Sequence, residues 1–213
     1  MKILYPPRPK SKIPHATLPR YERSGQWVWQ RKFNGTCVVV NISPSGEVGI
    51  LTRHGTKPKL FSLTRQHITD FLGLNIEEGK EYWLAGELLD HKTTDKRYKQ
   101  KIVLFDVLQA GRYLMRRPDQ MGRLQLLSEI CGHPTELEPA HGIALAVTER
   151  IWMAQTWDTD AVGRFRDFLT TDEIEGLVLR KKKSVLDNFG RQEYEVSWML
   201  RCRKPHSGGN YNF

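Results

Sequence analysis

Apolar and polar residues alternate in short runs along most of this chain, and the period of the alternation differs between segments. Runs of Val, Ile, Leu, Trp and Phe predict strands, because these side chains suit a pleated, half-buried surface. The sequence predicts strand-like segments that end at Lys32 or cover Cys37–Ile42, Glu47–Leu51, Glu81–Asp90, Lys101–Leu108, Gly142–Val147, Ile151–Ala154, Glu175–Arg180 and Tyr194–Arg203.

Other segments repeat apolar residues at helical spacing, and strands and helices are mixed along the chain. The pattern therefore predicts an α+β fold. The apolar residues are Ile68, Phe71 and Leu72 within Thr64–Leu72; Met121, Leu124, Leu127 and Cys131, between an early-helix Pro118 and Gly132; and Val162, Phe165, Phe168 and Leu169.

The first part of the chain is rich in proline and in basic residues. Proline blocks helix interiors and central strands, so we expect an extended arm over residues 1–25. A single domain is predicted over residues 26–205 and a short tail over 206–213. Arg8, Lys10 and Lys12 of the arm either contact phosphates or remain in solvent.

Charge narrows the choice of partner. The chain has 33 Lys and Arg against 24 Asp and Glu, a formal net charge of +9, which favours a polyanionic partner. No apolar run is long enough to span a bilayer, and the amino-terminal segment lacks the apolar region of a signal peptide. We therefore expect a cytoplasmic protein, of the host cell if the protein is viral, with no membrane partner and a monomeric state.

The cysteines and histidines do not form recognisable metal or disulfide patterns. Cys37, Cys131 and Cys202 are far apart in the sequence, which argues against both a disulfide framework and a zinc knuckle. None of the histidines has the spacing of zinc ligands to another.

One lysine stands beside a predicted tight turn. Lys32-Phe33-Asn34-Gly35 joins two strand-like runs, and Asn-Gly is a strong turn signal. A lysine held by rigid backbone suits covalent chemistry, because a neutral amine can attack phosphorus. The alternative is an ordinary hairpin with an exposed lysine.

Short motifs at predicted strand ends and turns follow one another in a fixed order. This ordered set resembles the covalent nucleotidyltransferase superfamily, which contains ATP-dependent DNA ligases, RNA ligases and mRNA capping enzymes. Small bacteriophage polynucleotide ligases look most similar, since Tyr5–Pro9 and Arg203–Pro205 recur in them. The resemblance implies an adenylation domain of antiparallel sheets flanked by helices, with an ATP-grasp-like core. The motifs are Lys32–Gly35, Thr52–Gly55, Ala85–Leu88, Leu104–Asp106, Glu175–Arg180 and Trp198–Lys204.

The resemblance implies that Lys32 attacks the α-phosphorus of ATP and retains AMP as a phosphoramidate. A free lysine has a pKa of about 10.4, so cationic neighbours and a bound metal have to favour the neutral amine. Arg31 and Mg²⁺ (or Mn²⁺) are the candidates. Glu175 matches the carboxylate that positions this metal.

The resemblance also assigns residues to the nucleotide. Gln30 faces the adenine amino group, Glu87 binds the ribose hydroxyls, with Gly86 permitting close ligand approach, and Phe105 stacks on the base. Phe105 is otherwise plain core, and Asp106 either steadies the site or caps a strand. The remaining nucleotide-binding residues are Gly35, Arg53, which reads the ribose or a 5′-phosphate, and Val178.

This sequence departs from the family pattern in three places. Asn34 stands where aspartate is frequent. Arg201 and Arg203 replace two lysines, and arginine acts only as a charge clamp because it keeps its proton. The chain ends soon after Lys204, so the resemblance implies a ligase without the OB domain. The arm and the basic clusters Lys92–Lys101 and Lys181–Lys183 would then supply the charge for nucleic acid, or else are merely solvated.

The function that the resemblance implies is ATP-dependent ligation of nucleic acid. The enzyme would form lysyl-AMP, transfer AMP to a 5′-phosphate and seal it to a 3′-hydroxyl, on nicked or single-stranded substrate. The alternatives are a guanylyltransferase of the mRNA-capping type and a catalytically silent nucleic-acid-binding protein with this fold. The sequence leaves the choice between RNA and DNA open.

Overall fold

The computed structural model describes residues 3–90, 93, 95–115, 117–134, 142–186 and 194–205. Parts of two predictions lie outside these residues, namely Lys92 and the tail 206–213. The described helices are α1 (Leu18–Arg23), α2 (Arg65–Leu72), α3 (Gln120–Ile130) and α4 (Ala161–Arg166). The strands are β1 (Arg8–Lys12), β2 (Trp27–Phe33), β3 (Thr36–Ile42), β4 (Val48–Thr52), β5 (Tyr82–Leu89), β6 (Lys101–Ala110), β7 (Tyr113–Leu114), β8 (Leu145–Ala146), β9 (Ile151–Met153), β10 (Thr156–Trp157), β11 (Ile174–Lys181) and β12 (Glu195–Arg203).

The strands form two sheets, so the mixed α+β class predicted from the sequence is confirmed. Sheet A has the order β1-β12-β11-β2-β10, and sheet B has the order β4-β3-β5-β6-β9-β8 with β7 paired to β6. Two pairs, β1 with β12 and β6 with β9, are parallel, whereas the sequence predicted antiparallel sheets. A long connection separates the strands of each parallel pair, and parallel pairing requires such a connection.

The turn at Asn34 and Gly35 does not close a hairpin, so the alternative of an ordinary hairpin with an exposed lysine is wrong. Strand β2 pairs with β11 and β10 in sheet A, whereas β3 pairs with β4 and β5 in sheet B. Both edges of each strand are therefore already occupied. The Asn34 backbone N–H donates instead to the Glu173 carbonyl at 2.7 Å. The turn carries the chain from one sheet to the other.

The amino-terminal segment is only partly extended. Strand β1 lies at the edge of sheet A. At an edge, the missing N–H of Pro9 does not interrupt the hydrogen bonds between central strands. Leu18–Arg23 is helical, against the prediction of an extended arm. Pro19 lies in the first turn of this helix, where its missing N–H has no intrahelical role.

The buried faces of helices α2 and α3 are more polar than the spacing of their apolar residues predicted. Helix α2 buries His67, Asp70 and Phe71, whereas Leu72 is exposed. Helix α3 buries Gln120, Arg123, Leu127 and Ile130, and Met121 is exposed. Pro118 precedes the helix, because Asp119 caps it by accepting from the Gly122 N–H. The strand predicted over Gly142–Val147 is restricted to β8.

The two larger apolar cores of the described residues join the sheets to the helices. One core packs sheet B against α2 and α3, and the other packs sheet A against α1 and α4. Phe105 is half-buried and contacts both cores. Among the described residues, none of the helices has the length and apolar character of a membrane-spanning segment.

Candidate active site

A cavity of about 690 Å³ opens between sheets A and B. Every residue to which the sequence assigned a catalytic or nucleotide-binding role lines this cavity. Sheet A and the residues at its strand ends contribute Gln30, Lys32, Glu175, Val178, Arg201 and Arg203. Sheet B and its adjoining turns contribute Gly35, Arg53, Glu87 and Phe105.

Strand alternation determines which residues of β2 face the cavity. Trp29 belongs to the apolar core behind sheet A, so Gln30 and Lys32 point to the other face. Arg31 lies on the same face as Trp29, and its guanidinium centre is 4.9 Å from the ring centroid of Trp157. Its side chain is therefore directed away from Lys32, against the expectation that it favours the neutral amine.

Lys32 forms an ion pair with a carboxylate of the neighbouring strand. The Lys32 Nζ is 2.5 Å from Glu175 Oε2, and Arg203 Nη2 is 3.3 Å from the same oxygen. Gly176 lies opposite both Lys32 and Arg203 in the sheet register, with φ of 147°. A Cβ on Gly176 would lie 1.9 Å from the Cys202 carbonyl oxygen, so only glycine permits this close strand contact. Glycine thus brings the two cations and the carboxylate together.

Glu87 links sheet B to the turn after Lys32. The Gly35 N–H donates to Glu87 Oε1 at 3.1 Å, and a Cβ on Gly35 would lie 2.4 Å from the Leu88 carbonyl oxygen. The sequence suggested that Gly86 permits close approach of a ligand, but this glycine does not open space for one. A Cβ on Gly86 would meet the Val103 carbonyl oxygen at 3.0 Å, so this glycine allows β5 and β6 to pack closely.

Gln30 is held at the opposite edge of β2. Its Nε2 donates to Thr156 Oγ1 at 3.0 Å, on the neighbouring strand β10. The amide is buried, and this bond occupies one of its N–H groups. The side-chain oxygen is the group that could accept from an adenine amino group.

A buried charge cluster lies behind Phe105, and sequence reasoning missed two of its members. Asp106 accepts from Arg123 Nε at 2.9 Å and from Arg180 Nη1 at 2.7 Å. Arg180 also lines the cavity. The available signal was a charged residue at the end of the apolar run Leu177–Leu179, and another at helical spacing from Leu127 and Ile130. Asp106 therefore holds two arginines and does not merely cap a strand.

The cavity wall is predominantly cationic. Sequence reasoning also did not assign Lys57 and Lys59 to the site, although both line it, and Arg8 of β1 reaches it. The pKa of Arg201 is lowered by desolvation and then by the like charges of Arg203, Arg8 and Arg53. Such crowding of guanidinium groups favours an anionic ligand.

The other predicted basic clusters are outside the cavity. Among the described residues of Lys92–Lys101 and of Lys181–Lys183, none lines it. Arg97 pairs with Asp95, and Lys182 Nζ lies 3.2 Å from Asp158 Oδ2. Their role in nucleic-acid binding stays a prediction.

The residues present fit a nucleoside triphosphate. In the described part of the chain, Arg180 Nε and Arg201 Nε are buried and have no hydrogen-bond acceptor. Phosphate, ribose and base atoms would supply acceptors to such donors. The described residues contain no group of three metal-ligating side chains. One carboxylate, Glu175, still suits Mg²⁺, which binds one or two carboxylates together with substrate phosphates.

Comparison with known proteins gives the fold. No protein-family model matches the chain, and no curated protein sequence matches it. Among solved structures, a mycobacterial DNA ligase D complexed with ATP and MES matches with a TM-score of 0.60 and 15% identity over 94% of this chain. The ATP-dependent DNA ligase from bacteriophage T7, in complex with ATP, matches with a TM-score of 0.55 and 11% identity over 91%. A Lig E DNA ligase, described as binding DNA with a minimal scaffold, matches with 0.52 and 13% over 93%.

The chain spans 60% of the length of the mycobacterial ligase chain, 67% of the T7 chain and 68% of the Lig E chain. At these identities the similarity is one of architecture. The chain has the fold of the nucleotidyltransferase domain of ATP-dependent DNA ligases.

Proposed function

We propose that this protein is an ATP-dependent polynucleotide ligase that works through a lysyl-AMP intermediate. The observation that carries the proposal is one cavity in which a lysine, a carboxylate and an aromatic ring lie among arginines. Lys32 and Glu175 form the reactive end, and Phe105 and Gln30 suit a base. The ligase fold is the independent support.

The first step would join Lys32 to AMP. The Lys32 ammonium, whose Nζ lies 2.5 Å from Glu175 Oε2, gives up a proton to water, and the neutral amine attacks the α-phosphorus of ATP. An N–P bond forms, the bond from phosphorus to the bridging oxygen breaks, and pyrophosphate leaves. Arg201 and Arg203 stabilise the charge on the phosphate oxygens. Mg²⁺ or Mn²⁺, which Glu175 would hold together with those oxygens, supplies further charge neutralisation.

The later steps would use the same side chains that line the cavity. AMP passes from Lys32 to a nucleic-acid 5′-phosphate, and a 3′-hydroxyl then displaces AMP and forms the phosphodiester bond. Arg53 would hold the incoming phosphate; its position in the cavity wall beside Cys37 and its planar fork support this role. Catalysis of this kind depends mainly on positioning and charge stabilisation.

The finer parts of the proposal come from the resemblance. They include an ATP-grasp-like core, and a substrate with 5′-phosphate and 3′-hydroxyl ends, nicked or single-stranded, in DNA or RNA. They also include a monomer that acts in the cytoplasm. Glu87 binding to ribose and Val178 contact with the nucleotide belong to the same proposal.

The test is incubation with Mg²⁺ and α-labelled ATP, followed by a denaturing gel and intact mass. We expect a covalent adduct about one AMP heavier that is absent from Lys32→Ala and present in Lys10→Ala, which removes an exposed lysine of β1. Labelling by GTP alone would instead indicate a guanylyltransferase. No adduct with either nucleotide would refute the proposal. A positive result leads to a comparison of nicked DNA, RNA and hybrid duplexes.

A further inference from the structure

An irregularity in β6 presents two neighbouring side chains to one arginine. In the pairing of β5 with β6, Ala85 lies opposite Asp106 and Gly86 lies opposite Leu104, so Phe105 is an extra residue. Neighbouring residues of a regular strand point to opposite faces. Here both contact Arg180: its guanidinium centre is 5.1 Å from the Phe105 ring centroid, and its Nη1 is 2.7 Å from Asp106 Oδ2. Bulges of this kind re-aim side chains next to active sites.

The guanidinium of Arg180 is fixed from behind. Asp106 also accepts from Arg123 Nε at 2.9 Å, and Arg123 Nη2 donates to Gln120 Oε1 at 2.7 Å. Arg123 Nη1 donates further to the carbonyls of Pro118 and Ser184, each at 3.2 Å. The cluster therefore joins sheet A, sheet B and α3, and Arg180 has little freedom to move relative to the Phe105 ring.

The charges in this cluster do not balance. Asp106 and Arg123 alone would make a neutral buried pair, and adding Arg180 leaves an excess cation away from water. A buried excess charge is destabilising, and desolvation lowers the pKa of Arg180. Two compensations are present: the aromatic ring of Phe105, which attracts a desolvated cation strongly, and the cavity that Arg180 lines. Arg180 is thus placed for the cavity and not for the ion pair alone.

We propose that Arg180 is a positioning residue that holds the Phe105 ring flat as the base-binding wall of the cavity. This inference rests on the proposed function, in which Phe105 stacks on adenine. Arginine is suited to the task because one planar group can lie against a ring and bond a carboxylate at the same time, which an ammonium group cannot do.

A binding cycle tests this coupling without any ligase activity. In a Lys32→Ala background, binding of a fluorescent ATP analogue is measured for Arg180→Gln, Phe105→Leu and the double variant. We expect each single change to weaken binding about tenfold, and the double variant to bind within about twofold of either single variant, because both remove one wall. Arg180→Lys should fall between wild type and Arg180→Gln. Losses that multiply, or unchanged binding in Arg180→Gln, would overturn the proposal.

The set of variants includes controls for loss of folding. Arg180→Gln leaves the neutral pair of Asp106 with Arg123, so we expect a cooperative melt, and Arg180→Lys serves if that variant does not fold. Arg166→Gln, which makes the same change at an exposed site, should leave binding unchanged.

A measurement on the ligand-free protein separates this inference from the proposed function. With 4-fluorophenylalanine at position 105, we expect one sharp ¹⁹F resonance in wild type and a shifted, broadened one in Arg180→Gln. Arg166→Gln should match wild type. A resonance that Arg180→Gln leaves unchanged would refute the positioning role, even if ATP binds. A shifted resonance in a protein that fails to bind ATP would refute the proposed function and keep the positioning of the ring.

Discussion

Two carboxylates in this protein each hold two cations, in very different surroundings. Glu175 holds Lys32 and Arg203, whose side chains are 20% and 44% exposed, and is itself 25% exposed. Asp106 holds Arg123 and Arg180, and none of these three side chains is more than 4% exposed. The first group is the cavity cluster and the second is the buried cluster.

The difference separates chemistry from architecture. Water reaches the cavity cluster, so its ion pairs are weak and can be exchanged for contacts with a ligand phosphate. The ion pairs of the buried cluster cannot be exchanged for contacts with a ligand, because separating these ions would leave uncompensated charge away from water. Similar charge arrangements therefore supply a reactive group in one place and a fixed wall in the other.

The largest expected effect is on stability, from Asp106→Asn. This change leaves Arg123 and Arg180 buried with no carboxylate between them, so we expect the free energy of unfolding to fall by about 3–5 kcal/mol. Urea denaturation measures it. Asp158→Asn, at an exposed pair with Lys182, should change the same quantity by less than about 1 kcal/mol. Equal effects at the two sites would remove the distinction between the clusters.

Glu175→Gln should produce the opposite pattern. We expect the rate of lysyl-AMP formation to fall at least about 100-fold, because a preorganised charge at the reacting centre is lost. The free energy of unfolding should change by less than about 1 kcal/mol. Single-turnover labelling and urea denaturation give the two values, with Glu149→Gln as an exposed control. A stable variant that labels at the normal rate would contradict the role of the cavity cluster.

Gly35→Ala tests the turn that places Lys32 against sheet B. The added Cβ would lie 2.4 Å from the Leu88 carbonyl oxygen and 2.8 Å from Glu87 Cγ, so we expect a loss of about 1–3 kcal/mol in unfolding free energy. The control is Gly49→Ala, since a Cβ there meets nothing within 4 Å. Thermal and urea unfolding of both variants decide the matter, and equal stability would show that the sheets adjust.

The smallest expected effect concerns Cys37, which lies within electrostatic reach of both clusters. Desolvation, and then the charge of Glu87, raises the pKa of its thiol to about 12, whereas Lys32 and Arg180 lower it. Only the thiolate is alkylated, so its fraction should still rise about tenfold per pH unit above pH 9. Mass spectrometry of the Cys37 peptide measures the rate. Lys32→Ala should slow alkylation more than Arg180→Gln does, and a rate that levels off near pH 9 would contradict the raised pKa.

Local sequence patterns predicted the strands well. Cys37–Ile42 was predicted where Thr36–Ile42 is observed, and Tyr194–Arg203 where Glu195–Arg203 is observed. The order of apolar and polar side chains within such a strand is enough to predict it. The residues that short motifs assigned to the site also line one cavity, although Lys57, Lys59 and Arg180, which line it too, were not assigned.

Contacts between residues that are distant in the chain could not be predicted from the sequence. Asn34 and Gly35 carry a strong hairpin signal, yet the strands on either side pair elsewhere. Arg123 lies on a buried helix face, and its bonds to Asp106, to Gln120 and to two backbone carbonyls explain its burial. The sequence could not choose between core and site for Phe105, because a bulge between β5 and β6 directs that side chain.

The sequence by itself determined the α+β class and most strand bounds, because alternation and turn chemistry act over a few neighbouring residues. Short motifs indicated many of the residues that line the cavity, but gave no role to Lys57, Lys59 or Arg180. Only the tertiary structure decided that β2 and β3 enter different sheets, that Arg31 turns away from Lys32, and that Arg180 backs Phe105. Those outcomes depend on which distant partners satisfy each hydrogen-bonding edge and each buried charge, and no local pattern specifies such partners.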